Sequence, residues 1–153
     1  MNKLFLAIIV LFTLNLFAQD KSAPQFLIES ESKYTFAETI DSLNNLGNQN
    51  GWKLVAIHDL QKSLKKNGKD VLPINIIEFC NPEYSYAVLN DDASKQVSAL
   101  MPCRISVYEK PDGRTYISRI NPEFLAASFG NVKNSPMAKA IGDIENILSR
   151  LLK

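Results

Sequence analysis

An α+β fold of two layers, a mostly antiparallel sheet covered by helices, is what this 153-residue sequence predicts. Three observations lead there. Short alternating apolar runs and helix-period runs interleave in the order β-α-β-α-β-α-α-β-β-α-α. The turn Pro111-Asp112-Gly113 joins two alternating runs as a hairpin. No linker or low-complexity segment divides the chain, so residues 26–153 read as a single domain.

The elements follow in order. Phe26 to Glu31 can form a first strand. Thr35 with Glu38 is a capping box, and Phe36, Ile40, Leu43 and Leu46 continue at helical spacing until Gly51 stops the helix. Trp52 to His58 alternates as a strand, and Asp59 caps a short helix ending at Asn67-Gly68. Val71 to Cys80 is rich in isoleucine and reads as a strand, Pro73 marking its start or an edge. Asn81-Pro82-Glu83 and Asn121-Pro122-Glu123 are the same helix-start punctuation used twice. Asn accepts backbone N–H bonds, Pro needs no donor at the first position, and Glu favours the positive end of the helix dipole. Residues 81–100 leave room for two short helices broken at Asn90-Asp91-Asp92. Cys103 to Lys110 and Thr115 to Ile120 are the hairpin strands. Phe124 to Phe129 forms a short helix closed by Gly130. Ser135 and Pro136 then open a helix carrying Met137, Ile141, Ile144, Leu148 and Leu151 on one face.

Residues 1–18 are of a different kind. Lys3 is their one ionisable side chain; an apolar stretch runs to Phe17, and small Ala18 precedes polar Gln19-Asp20. These are the parts of a secretory signal peptide, and ~14 residues is short for a bilayer span. Removal of residues 1–18 takes the formal charge from +1 to zero. Residues 19–25 read as a flexible N-terminus. The expectation is an exported protein, periplasmic or secreted, with no stable membrane insertion once the leader is gone; an uncleaved N-terminal anchor is the alternative. Near-neutral charge removes the electrostatic basis for nucleic-acid binding, and 46% hydrophobic content removes a disordered chain.

Chemistry-bearing residues are few. The cysteines are Cys80, closing a strand, and Cys103, opening one after Met101-Pro102. An out-and-back helix pair between them could bring the sulfurs together at the sheet edge. Three states stay open: a disulfide suited to an exported protein, a thiol or metal site, and two separate buried thiols. The helix start after Cys80 and Arg104 beside Cys103 would favour a thiolate. His58, the sole histidine, lacks partners at metal-ligand spacing and reads as a strand-end residue. Glu78 reads as a surface carboxylate, and Lys62, Lys65, Lys66 and Lys69 as a solvated helix end. No nucleophile elbow, phosphate loop or dinucleotide fingerprint occurs.

Taken together, Phe79-Cys80-Asn81-Pro82, Met101-Pro102-Cys103-Arg104-Ile105, Val107-Tyr108-Glu109 and the Asp112-Gly113 turn resemble the family catalogued as domain of unknown function 302. Asp59-Leu60 and Ile120-Asn121-Pro122-Glu123 fit the same pattern. The resemblance implies a compact α+β homodimer without a settled activity. It also implies leaderless relatives carrying both cysteine motifs, which brings the thiol or ligand-site state level with the disulfide. Two functions follow as expectations. One is a homodimeric module that binds or senses a small ligand at a pocket of Cys80, Cys103, Met101, Arg104 and Tyr84, without hydrolytic chemistry. The other is a thiol-redox or soft-metal or haem-type cofactor protein using Cys80 and Cys103; the residues name no particular cofactor.

Overall fold

The computed structural model describes residues 24–128 and 135–153. The strands are β1 (Leu27–Glu31), β2 (Lys53–Asp59), β3 (Ile74–Cys80), β4 (Cys103–Glu109) and β5 (Thr115–Ile120). The helices are α1 (Phe36–Gln49), α2 (Leu60–Lys65), α3 (Pro82–Leu89), α4 (Pro122–Ser128) and α5 (Pro136–Ser149). A run of 3₁₀ turns, Asp92–Leu100, lies between α3 and β4. Element for element this is the expected order, with a 3₁₀ run where a second short helix was expected. The predicted leader, most of the flexible N-terminus and the Phe129-Gly130 helix stop lie outside the described residues. No described helix is long and apolar enough to cross a membrane.

The five strands form one open antiparallel sheet in the order β1-β5-β4-β3-β2. Alternation along each strand sends Ile77 and Phe79, Ile105 and Val107, and Ile117 to one face. There they meet Leu43 of α1 and Ala140, Ile144, Ile147 and Leu148 of α5 in a single core with Trp52 and Leu151. The α5 stripe is thus largely core, as its spacing predicted.

Local chemistry sets the boundaries. Thr35 Oγ1 accepts from Glu38 N–H while Glu38 accepts from Thr35 N–H, completing the capping box of α1. Asn81 Oδ1 accepts from Glu83 N–H at 3.0 Å, and Asn121 Oδ1 from Glu123 N–H at 2.9 Å, so both Asn-Pro-Glu motifs start helices. The strand expected from Val71 begins only at Ile74, just past Pro73, which has no N–H for a ladder. Gly113 takes φ +73° in the hairpin turn, a conformation that suits glycine. A bulge at Leu54–Ala56 shifts the register of edge strand β2, leaving Val55 exposed.

Candidate functional site

The sequence-predicted site lies where β3 ends and β4 begins. Cys80, Tyr84, Met101 and Cys103 line one cavity with Trp52, Phe79, Ser85, Val88, Met137 and neighbouring residues. Four of the five expected residues therefore share a wall. Its volume is about 20 Å³, room for one water or one ion but not for an organic molecule. Trp52 is 2% exposed, and its Nε1–H is the one buried side-chain N or O atom without a hydrogen-bond partner among the described residues. Tyr84 anchors one side by donating from Oη to Asp143 Oδ2 of α5 at 2.5 Å.

Both cysteines are free thiols. The bridge considered from sequence is absent for a geometric reason. The register sets Cys103 opposite Phe79, so Cys80 falls one position further along β3, with opposite parity. The sulfurs are not a facing pair. Cys80 Sγ instead lies 3.1 Å from Ser85 Oγ on α3.

Arg104 does not join the cavity wall. Adjacent strand residues face opposite sides, so the alternation that gives Cys103 to the helix-covered face sends Arg104 to the open one. There its Nη2 and Nε reach Glu78 Oε1 at 2.9 and 3.1 Å, and His58 Nε2 reaches the same oxygen at 3.1 Å. Glu78 is consequently a buried carboxylate bridging three strands rather than a surface one. Arg104 therefore points away from Cys103 and pairs with Glu78 instead. Burial, with Cys80 adding to it, pushes the Cys103 thiol up from 9.0 to about 11.

That shift carries a pH dependence. Below pH 9 the thiol is protonated in both folded and unfolded chains, and its contribution is fully present. Between pH 9 and 11 the unfolded chain releases the proton first, so stability falls by about 2 kcal/mol. Urea unfolding across this window should show the decline in the native protein and a shallower one in Cys103→Ser. Parallel profiles would contradict the assignment.

A larger cavity adjoins the first. It measures about 400 Å³ and lies between α3, the 3₁₀ run, α4 and α5. Val88, Val97, Leu100, Leu125, Met137 and Ile141 are its principal apolar walls, with Ser94, Gln96 and Ser135 as polar groups. Val88 and Met137 line both cavities. Sequence reading missed Val97, Leu100 and Leu125 because their meeting is tertiary. Met137 and Ile141 were visible in the α5 stripe, but only as core. Among the described residues no three His, Cys, Asp or Glu side chains are grouped to hold a metal ion.

A family model described as domain of unknown function DUF302 matches residues 28–153. The chain belongs to this family. Among solved structures it is similar to an uncharacterized conserved DUF302 protein from Bacillus stearothermophilus, with a TM-score of 0.71 and 25% identity. That similarity covers 84% of this chain and 99% of the other, so the sheet and its covering helices are the DUF302 fold. No curated protein matches the chain.

Proposed function

We propose that this DUF302 protein is an exported, homodimeric binding module without hydrolytic chemistry. Its ligand is an uncharged, mainly apolar small molecule held between α3, the 3₁₀ run, α4 and α5. The observation that carries this is the 400 Å³ cavity, whose size falls in the range of small-molecule sites and whose walls are mostly apolar with a few polar groups. Export rests on residues 1–18, and the homodimer on the family resemblance. Thiol exchange is the weaker reading, because a buried thiol held near pKa 11 is a poor nucleophile at neutral pH and its would-be partner does not face it.

Gly142 supplies the discriminating variant. It lines the cavity, and a Cβ built there meets no heavy atom within 4 Å. Gly142→Leu should therefore fill the cavity without disturbing the core, and replacing a mid-helix glycine also favours α5. Native mass spectrometry of the exported protein with N-phenyl-1-naphthylamine, an uncharged apolar probe, reads the leader, the oligomer and the bound probe together. The expected result is a leaderless dimer with one probe per chain, and at least tenfold less probe on Gly142→Leu.

A further inference from the structure

Every sulfur-bearing residue of this chain beyond Met1 lines one small space. The sequence has two cysteines and three methionines, and Cys80, Met101, Cys103 and Met137 all line the 20 Å³ cavity. Sulfur side chains also serve as ordinary core filling. Two features set this cluster apart. The space among the sulfur residues is large enough for one ion, and the unpartnered Trp52 Nε1–H belongs to the same wall.

We propose that this cavity is a binding site for one soft monovalent cation of the copper(I) class, with Cys103, Met101 and Met137 as ligands and Cys80 as an adjoining thiol. The donor chemistry selects the ion. Thiolate and thioether sulfur favour copper(I), while hard cations need oxygen donors. A zinc site would need a cluster of His, Cys or carboxylate groups, which is not present among the described residues.

Charge balance points the same way. Binding exchanges the S–H bond of Cys103 for an S–Cu bond, and the proton passes to solvent. The two thioethers donate lone pairs and lose nothing. No electron is transferred. One thiolate and one monovalent cation form a neutral unit, which an apolar enclosure tolerates, whereas a divalent ion with the same donors would leave a buried positive charge. A metal-bound thiolate also accepts an N–H bond far better than a thiol does, which suits a wall that includes Trp52 with its unpartnered Nε1–H. Ser85 Oγ, 3.1 Å from Cys80 Sγ, is placed to orient the second thiol.

Competition for copper(I) against a coloured bicinchoninate complex, anaerobically and with reductant, tests the site. The wild-type protein should withdraw one equivalent per chain and release about one proton at pH 7. Cys103→Ser should withdraw none. Met101→Leu and Met137→Leu, changes of similar volume that preserve the core, should each weaken retention by about tenfold or more. Thermal unfolding of each variant checks that it is folded. Unchanged colour with wild-type protein would overturn the proposal, as would wild-type retention by Cys103→Ser or by the double methionine variant. Gly142→Leu should keep the copper equivalent while losing the apolar probe, so the two sites stand or fall separately.

Discussion

Glu145→Ala should destabilise the protein by about 3–5 kcal/mol, the range for breaking a buried ion pair from one side. Arg119 of β5 lies on the helix-covered face with its side chain only 7% exposed. Its Nε and Nη2 donate to the two Glu145 oxygens at 2.8 and 2.9 Å, and its Nη1 donates to Ser30 Oγ of β1 at 2.9 Å. One guanidinium thus ties the β5 and β1 strands to α5. Without Glu145 the cation stays under the helix layer with a neutral hydroxyl as its remaining side-chain partner. Urea unfolding measures the loss. The double change Arg119→Met with Glu145→Leu should recover most of it, since an apolar pair of similar size carries no desolvation cost. A loss below about 1 kcal/mol in Glu145→Ala would mean that the pair acts as an exposed one.

Gly47→Ala should also destabilise, although alanine is the better helix former by about 1 kcal/mol. Gly47 is buried in α1 where the helix crosses β3, and an added Cβ would sit 2.5 Å from Phe79 Cε1 and 3.2 Å from Cδ1. Phe79 is 1% exposed within the core, so its ring can yield only by repacking against its neighbours. Overpacking of this kind costs about 1–3 kcal/mol. The melting temperature should therefore fall in Gly47→Ala and recover in Gly47→Ala with Phe79→Leu, which frees the contested space. An unchanged or higher melting temperature in the single variant would show that α1 can lift off the sheet at no cost.

These two residues mark the boundary of what the sequence discloses. Order and caps were legible because they depend on near neighbours: Thr35 with Glu38, the two Asn-Pro-Glu starts, and Ser135 before Pro136. The α5 stripe was legible because its period matches the helix. Gly47 was silent, since a close approach to Phe79 requires knowing that α1 crosses β3 at that turn.

The site was legible in the same partial way. Cys80, Tyr84, Met101 and Cys103 line one cavity because α3 and the 3₁₀ run leave β3 and return to β4 beside it. The direction of Arg104 was present in strand alternation, since a residue after an inward cysteine must point outward. The buried Glu78 was not, because its two partners come from strands before and after it in the chain. Met137 and Ile141 carried two meanings, core and cavity wall, and periodicity alone cannot separate them.

Probe occupancy in wild-type protein and Gly142→Leu, read by native mass spectrometry, bears most directly on the claim that this DUF302 domain is a binding module. One N-phenyl-1-naphthylamine per chain is expected on a dimer of the wild type, with at least tenfold lower occupancy on a Gly142→Leu protein that remains folded and dimeric. A wild-type protein that takes up no probe, or a Gly142→Leu variant that takes it up as well as wild type does, would contradict it.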